Sequence, residues 1–366
     1  MFDKLVQNNK KIRKKNTFNR RITHLISIIQ NYQYIEWKTS KKYYLDLLKK
    51  EICLSYNYSI DLVEKFFNII PMEEIDEFFK SNETPRPLTI RINSIRNGEE
   101  NFQNNLRNMG IQKIFEEKLL NFAGIIKRKN IRLGKNPEFL AGYFTLQGLS
   151  SFFSVIALDP QKGERILEIA AAPGGKATFI SQIMENTGIC IANDKNKSRL
   201  NSLVSTIHRL GIENSIVTNF DGSFFHYKMK GFDRVLLDAP CTGTGIISHD
   251  ERIKLHKINS AILINTTLQK RLLISAIDSC KINQEKKGYI VYSTCSILIE
   301  ENESIIQYAV EKRNVKIVKT GLSFGIPGFV KYKNEIFNKK MHFCRRFYPH
   351  IHNVDGFFVC KLEKNK

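Results

Sequence analysis

Short apolar segments alternate with segments of helical periodicity from residue 165 onward, and this alternation constrains the fold more than any other feature of the chain. The strand-like segments span 165–170, 188–193, 215–218, 232–237 and 288–293. The clearest intervening helix spans 261–282. Apolar strands separated by helices are typical of a parallel sheet covered on both faces. We therefore predict an α/β, doubly wound, Rossmann-like domain over 151–366, with its ligand crevice at the carboxyl ends of the strands.

The preceding residues predict a small N-terminal α/β accessory domain over 22–150. Apolar residues follow helical spacing from 22 to about 80. The prolines of 82–87 end this pattern, because two prolines two positions apart cannot continue a helix. Beyond them, 88–92 alternates like a strand and 102–109 has the pattern of a short helix.

Two segments at the borders of this domain leave alternatives open. The loop 139–148 is rich in glycine and aromatic residues. Its rings could stack on a nucleobase, but packing at a domain boundary is the favoured interpretation. Residues 1–21 contain eight Lys or Arg and one acid, Asp3. This segment is equally compatible with a nucleic-acid-binding arm, a nuclear-import signal or a solvated helix start.

The net charge indicates a polyanionic partner. Lys and Arg number 57 against 36 Asp and Glu, which gives +21 over 366 residues. Part of the lysine excess fits the bias toward Asn, Lys and Ile of AT-rich coding sequences. The remaining charge still exceeds what solubility requires, and nucleic acid is the partner that such an excess suits.

The cysteine pattern argues against structural zinc and against a disulfide framework. The seven cysteines are Cys53, Cys190, Cys241, Cys280, Cys295, Cys344 and Cys360. Their number is odd and no pair has C-x-x-C spacing, so we expect no metal and a reducing compartment. Cys190 and Cys280 lie in apolar segments and are predicted to be core residues. No apolar run approaches the length of about 18 residues that a membrane span needs, so no membrane partner is expected.

A glycine-containing loop follows the first predicted strand and opens a helix, as in sites that hold a nucleotide-type cofactor. The loop consists of Ala171, Ala172, Pro173, Gly174, Gly175 and Lys176. Its glycines allow close approach of the backbone to a ligand, and the amides of the helix face that ligand. The loop has neither G-x-G-x-x-G nor Walker-A spacing.

Acidic residues close the next two predicted strands. Asp194 can accept both ribose hydroxyls of an adenosyl group, and Asp221 can meet the adenine amino group. Helix-capping acids at ordinary turns are the alternative, and the ordered occurrence of all three features disfavours it. S-adenosyl-L-methionine, with its ribose, adenine and sulfonium, fits better than a dinucleotide.

Two further strand ends carry cysteines, Cys241 in Asp-Ala-Pro-Cys and Cys295 in Ser-Thr-Cys-Ser. Carbon 5 of a pyrimidine becomes nucleophilic enough for methylation only after a thiolate adds at carbon 6. Asp238, three residues before Cys241, can serve as the acid near ring nitrogen 3 if desolvation keeps it protonated. The spacing leaves open which thiol attacks.

With these motifs, the chain resembles the Sun (Fmu) family of RNA cytosine-5 methyltransferases, and within it the nucleolar branch that modifies large-subunit ribosomal RNA. The resemblance covers residues 80–362. It rests on the stretches 84–87, 137–142, 172–176, 231–241, 293–296, 300–303, 345–350 and 355–358. Nucleolar members commonly have Asp-Met-Cys-Cys at 168–171, Thr at Ala177 and Ser at Thr242.

The resemblance implies roles for individual residues. It makes Cys295 the nucleophile and Cys241 the residue that assists release of the product. It implies that Lys176 orients the active site. It assigns contacts with S-adenosyl-L-methionine to the loop residues Ala171 to Ala177 and to Asp194, Arg199, Asp221 and Asp238.

The resemblance also implies a substrate and a place of action. The expected activity is formation of 5-methylcytosine in large-subunit ribosomal RNA during ribosome biogenesis, in the nucleus and nucleolus. The expected partner is the pre-ribosomal large subunit, and 22–150 is expected to bind RNA. Two alternatives stay open, namely an assembly factor whose catalysis is dispensable and the same activity on transfer or messenger RNA. The accessory segment contains no readable code that would choose between RNAs.

Overall fold

The computed structural model describes residues 20–34, 39–96, 111–113, 123–126, 133–282 and 287–365. The chain forms two compact units, Met1–Pro85 with Ile246–Ala261 and Arg86–Gly245 with Ile262–Lys366. The predicted helix over 102–109 and most of the predicted arm over 1–21 lie outside the described residues.

The first unit is helical. Its helices are α1 over 20–30, α2 Lys41–Tyr56, α3 Ile60–Phe67 and α4 Ile75–Asn82. Four aromatic rings, of Tyr58, Phe66, Phe78 and Phe79, pack against one another with centroids 5.0–6.2 Å apart. Buried Lys254, from the inserted segment, pairs with Glu83 at 2.7 Å. The helical spacing predicted up to residue 80 corresponds to these helices.

The second unit begins with a small antiparallel sheet. Its strands are β1 Thr89–Ile92, β2 Ile111–Lys113, β3 Ala123–Ile126 and β4 Phe144–Leu146, in the order β2-β3-β1-β4. A short helix, α5 Pro137–Leu140, precedes β4. In the loop 139–148 the Phe144 ring is fully buried, and the guanidinium of Arg209 lies 4.2 Å from the Phe139 ring centroid. These two aromatic rings therefore pack within the unit.

The main sheet confirms the predicted doubly wound fold. Its parallel strands are β5 Arg165–Glu168, β6 Ile189–Asn193, β7 Ser215–Thr218, β8 Arg234–Asp238 and β9 Gly288–Thr294. Each agrees with a predicted strand to within two residues at either end. They are ordered β9-β8-β5-β6-β7, so the winding direction reverses between β5 and β8. A ligand crevice is expected at the carboxyl ends of these two strands.

Helices connect and cover the strands. They are α6 Ser150–Leu158, α7 Gly175–Ile183, α8 Lys197–Leu210, α9 Ile258–Ser279, α10 Glu303–Lys312 and α11 Pro349–His352. α6 packs on β8 and β9, and α7 packs on β6. None of the helices in the described ranges is long and apolar enough to span a bilayer.

Antiparallel strands extend the sheet beyond β9, a feature that the sequence analysis did not predict. They are β10 Val315–Val318, β11 Ile326–Pro327, β14 Arg345–Phe347 and β15 Phe357–Lys364. β12 Lys331–Tyr332 and β13 Glu335–Ile336 form a separate hairpin. β15 pairs with β9 along its whole length, on the side of β9 that faces away from β8. These additional strands do not alternate regularly with helices. They therefore lack the strand–helix pattern from which β5 to β9 were predicted.

The two compact units do not coincide with the predicted division at residue 150. The small sheet of 89–146 belongs to the same unit as the main sheet. Arg91 of β1 is the physical link, because its buried guanidinium donates to the Gly175 carbonyl and to Thr178 Oγ1. The predicted RNA-binding role of 22–150 stays a prediction.

Candidate active site

The loop between β5 and α7 is built to present backbone to a ligand. Gly174 has φ +104°, a conformation that side chains with Cβ rarely adopt, and it directly precedes α7. The Gly174 amide donates to the Ala171 carbonyl at 2.7 Å, which closes a turn. The amide groups of the first turn of α7 therefore face the carboxyl edge of the sheet.

Asp194, at the end of β6, braces this loop. One carboxylate oxygen accepts from the Ala172 amide at 3.1 Å, and the other accepts from the Asn196 amide at 2.8 Å. Arg199 of α8 donates to the Ala172 carbonyl and lies 3.8 Å from the Asp194 carboxylate. Asp194 and Arg199 are thus both brought to the cofactor loop, and each carboxylate oxygen has a further lone pair for a ligand.

Asp221 follows β7 and is more exposed. Its carboxylate pairs with Lys195 at 2.6 Å and accepts from the Ser223 amide at 2.9 Å. Partial burial alone would raise the pKa of Asp221, but these two partners outweigh it and hold the pKa below its ordinary value. In the structure Asp221 is therefore an ionised helix cap that keeps acceptor capacity.

Lys176 and Asp238 form an ion pair at the ends of β5 and β8. The ammonium lies 2.7 Å from the Asp238 carboxylate and 2.8 Å from Ser151 Oγ. The other Asp238 oxygen accepts from Ser293 Oγ at 2.7 Å. Burial alone would lower the pKa of Lys176, yet the charge of Asp238, with smaller contributions from Glu168 and Cys295, raises it. Lys176 stays an ammonium within electrostatic reach of Cys295.

The thiols of the two predicted catalytic cysteines are in contact in the structure. Cys241 Sγ and Cys295 Sγ lie 3.1 Å apart, in loops that follow the neighbouring parallel strands β8 and β9. The Gly245 amide donates to the Cys295 carbonyl at 2.8 Å and ties the loops together. The hydrogen bond with Cys295 and burial raise the pKa of the Cys241 thiol well above its ordinary value. Cys241 therefore stays protonated at neutral pH and can donate to the sulfur of Cys295.

Glu301 joins the same two loops, and no sequence pattern predicted a role for it. Its fully buried carboxylate accepts from the Thr242 amide at 2.9 Å, from Thr242 Oγ1 at 2.6 Å and from Gln269 Nε2 at 3.1 Å. Its carbonyl accepts from Tyr292 Oη at 2.6 Å. Burial raises the pKa of Glu301, and its hydrogen bonds counteract part of this effect. The only sequence signal was an acid-rich stretch at 300–303, whose partners are distant in the chain.

A cavity of about 240 Å³ lies between the cofactor loop and β8. The lining includes the predicted residues Ala171, Ala172, Pro173, Gly175, Lys176 and Asp238. Gly174, Ala177, Asp194, Arg199, Asp221 and the two predicted catalytic thiols are not among its lining residues. Ala177 is fully buried and packs in the core of the unit. The cavity therefore lies between the loop and Asp238, and the other predicted residues are outside its lining.

Two buried polar atoms of this cavity have no hydrogen-bond partner within the described ranges. They are Gln147 Nε2 and Glu168 Oε2, on side chains from residues that are 7% and 2% exposed. Desolvation raises the pKa of Glu168 well above its ordinary value. Neither residue was predicted from the sequence, because a lone Gln and the last residue of an apolar strand have no distinctive pattern.

The remaining cysteines of this unit lie away from the site. Cys190, Cys280, Cys344 and Cys360 are at most 3% exposed, and the predicted core positions of Cys190 and Cys280 are confirmed. Burial raises the pKa of Cys190 and of Cys280 to about 12. Across the described part of the chain, no cluster of His, Cys, Asp and Glu could hold a metal ion.

The fold and the loop between β5 and α7 define a Rossmann-like domain with the crevice at which such folds bind a cofactor. A crystal structure of a methyltransferase homologue from Pyrococcus horikoshii superposes with a TM-score of 0.76 at 30% identity, over 86% of this chain and 98% of that one. Residues 155–363 match the family described as 16S rRNA methyltransferase RsmB/F, and the chain belongs to this family.

Two curated relatives match almost the whole chain. A human 28S rRNA (cytosine(4447)-C(5))-methyltransferase is 43% identical over 94% of this chain. A 25S rRNA (cytosine-C(5))-methyltransferase from Schizosaccharomyces pombe is 44% identical over 94% of this chain. The chain spans 43% and 57% of the length of these two relatives.

Proposed function

We propose that this chain is an S-adenosyl-L-methionine-dependent RNA (cytosine-5) methyltransferase that forms 5-methylcytosine in large-subunit ribosomal RNA. The observation that carries the proposal is the pair of thiols 3.1 Å apart beside the Lys176–Asp238 ion pair. Covalent activation of a pyrimidine needs a nucleophilic thiol and an acid in one place. The large-subunit rRNA activities in the names of both curated relatives support the choice of substrate.

The residues present fit the proposed cofactor. Two residues that line the cavity have a polar atom without a hydrogen-bond partner among the described residues, Gln147 Nε2 and Glu168 Oε2. A polar ligand in the cavity can satisfy both atoms. Residues 171–177 would hold it through their backbone, with Asp194 and Arg199 beside them and Asp221 at the adenine side. When bound, S-adenosyl-L-methionine supplies an electrophilic methyl group.

Cys295 is the proposed nucleophile. Cys241, held protonated, can donate its hydrogen bond to the sulfur of Cys295, and the Lys176 ammonium lies within electrostatic reach of that sulfur. As a thiolate, Cys295 adds to carbon 6 of the cytosine, so that the ring electrons become available at carbon 5. Both observed partners of Asp238 donate to its carboxylate. We assign the proton that ring nitrogen 3 gains to the Lys176 ammonium, relayed through Asp238, and this proton returns to Lys176 when the ring double bond reforms.

Cys241 is proposed to act in the second half of the reaction. After carbon 5 has taken the methyl group, a base removes its proton, the carbon 5–carbon 6 double bond reforms and the Cys295 thiolate leaves. Cys241 lies close enough to Cys295 to assist this release. The two thiols thus have successive roles on the same ring.

The charge of +21 supports an RNA substrate. We assign RNA binding to the arm 1–21 and to 22–150, and methyl transfer to 151–366, with Gln147 near the end of 22–150 also lining the cofactor cavity. The proposed setting is large-subunit assembly in the nucleolus, with the pre-ribosomal large subunit as partner.

Bisulfite sequencing of ribosomal RNA tests this function. Cells depleted of the protein and complemented with wild type should retain methylation at one large-subunit cytosine, which cells complemented with Cys295→Ala should lose. Loss confined to a transfer or messenger RNA would reassign the substrate. Unchanged methylation together with failed subunit assembly in depleted cells would favour the assembly-factor alternative.

A further inference from the structure

The side chain of Gln147, in the loop after β4, lies in the cofactor cavity beside Gly175 and Lys176. Its Oε1 accepts from Arg91 Nη1 at 2.8 Å, while its Nε2 has no partner within the described residues. The residue is 7% exposed and lines the cavity, so a ligand acceptor bound there would satisfy the unpaired donor.

Arg91 determines which way the amide of Gln147 points. A guanidinium only donates, so the amide oxygen must face Arg91 and the NH₂ group must face away from it. Arg91 is itself held by the Gly175 carbonyl, by Thr178 Oγ1 at 2.7 Å and by stacking 5.2 Å from the Phe179 ring centroid. The donor of Gln147 is thus oriented before any ligand arrives.

The charges around Gln147 favour an anionic acceptor. Within the described residues, buried Arg91 pairs with no carboxylate, and its hydrogen bonds go to the oxygens of carbonyl, amide and hydroxyl groups. Glu168 lines the same cavity with its Oε2 unpaired among the described residues, and a ligand ammonium would pair with the ionised form of this carboxyl. A donor and an acceptor in one small cavity match the carboxylate and the ammonium of an α-amino acid group.

We propose that Gln147 Nε2 binds the carboxylate of the methionine moiety of S-adenosyl-L-methionine, and that Arg91 is the positioning residue that orients the amide. This inference rests on the proposed function, since it assigns one part of the proposed cofactor to one part of the cavity. It also gives the small antiparallel sheet a direct part in cofactor binding, through β1 and the loop after β4.

Titration calorimetry with two ligands tests the contact. Gln147→Glu keeps an oxygen for Arg91 but replaces the donor by an acceptor, so the link to Arg91 survives while the ligand carboxylate is repelled. Its affinity for S-adenosyl-L-methionine should fall about tenfold or more, as expected for losing a charge-assisted hydrogen bond. Its affinity for decarboxylated S-adenosylmethionine should stay within about twofold of wild type. Gln161→Glu, at an exposed glutamine outside the cavity, controls for the added charge.

Two results would overturn the inference. An equal loss of affinity for both ligands would mean that Gln147 only maintains the conformation of the loop after β4. Unchanged affinity for both ligands would mean that Gln147 does not contact the ligand. A wild-type protein that binds neither ligand would instead contradict the cofactor assignment itself, and this inference with it. Thermal melting of both variants checks that each is folded.

Discussion

The sulfur atoms of Cys241 and Cys295 lie 3.1 Å apart, although the two residues are 54 positions apart in the chain. Their loops follow adjacent parallel strands in which Asp238 is the register partner of Ser293. The sheet register therefore brings together both thiols, and Asp238 three residues before one of them. The proposed pyrimidine would bind at this edge of the sheet.

The two thiols should give opposite phenotypes. Cys295→Ala cannot form the bond to carbon 6, so it should lose methyl transfer completely and form no covalent adduct with RNA. Cys241→Ala should attack and methylate but remain attached to the RNA. The adduct should appear as a slow band on a denaturing gel that disappears after RNase treatment. Asp238→Ala should impair attack and cofactor placement, and so give little adduct.

The reverse pattern would exchange the roles of the thiols. If Cys295→Ala accumulated the adduct and Cys241→Ala formed none, Cys241 would be the nucleophile. Methyl transfer that survived both substitutions would rule out the covalent mechanism.

Replacing Glu301 should slow methyl transfer without changing the affinity for the cofactor. Glu301→Gln can keep one oxygen for the Thr242 amide and Gln269 Nε2, but its NH₂ group faces Thr242 Oγ1, so that hydroxyl must turn round to accept and the hydrogen bonds of the carboxylate are weakened, at a cost of about 1 kcal/mol in the free energy of unfolding. Because Thr242 adjoins Cys241, kcat for methyl transfer should fall while the Kd for S-adenosyl-L-methionine stays unchanged. Exposed Glu213→Gln is the matched control, and equal kcat values in the two variants would show that Glu301 is not a positioning residue.

Asp194 should contribute both to the loop and to the cofactor. Asp194→Ala removes the acceptor of the Ala172 amide as well as the proposed ribose contact. Its affinity for S-adenosyl-L-methionine should weaken by about 1–3 kcal/mol in calorimetry. Asp194→Asn keeps one acceptor oxygen and should lose less. Unchanged affinity in Asp194→Ala would exclude Asp194 from the binding site.

Glu168 should make stability depend on pH. Its pKa is raised in the folded protein by desolvation, so the folded state holds a proton that the unfolded state releases. The resulting stabilisation is fully present below the unfolded pKa of about 4.3 and is lost as the pH rises through the folded pKa. Urea midpoints measured from pH 4 upward should therefore fall more for wild type than for Glu168→Gln. Parallel curves for the two proteins would count against a buried, protonated Glu168.

The basic arm over 1–21 should carry part of the affinity for RNA. Lys and Arg side chains that bind phosphates release counterions, so binding should weaken steeply with salt. Deletion of the arm should flatten the plot of log affinity against log salt concentration, by about 0.7 for each phosphate that the arm neutralises on single-stranded RNA. Calorimetry should show intact binding of S-adenosyl-L-methionine by the truncated protein. An unchanged slope would favour the import-signal alternative.

Local patterns in the sequence were sufficient for the parallel half of the sheet and for the family. The strands β5 to β9 were predictable because buried parallel strands are apolar throughout and are bounded by helices. The glycine loop and the two cysteine motifs could be located because they directly follow such strands. Antiparallel β15 escaped prediction, since its place beside β9 depends on pairing with a strand that ends more than 60 residues earlier.

The sequence by itself determined the fold class, the family and the strand ends at which the chemistry is expected. Only the tertiary structure decided that Cys241 contacts Cys295, that Lys176 pairs with Asp238, and that Glu301 holds the Thr242 loop. It also showed that Arg91, from the small sheet, donates to the side chain of Gln147 at the cavity. The physical reason is that strand periodicity is encoded by neighbouring residues, whereas these buried polar contacts join residues 54–62 positions apart, for which no local pattern exists.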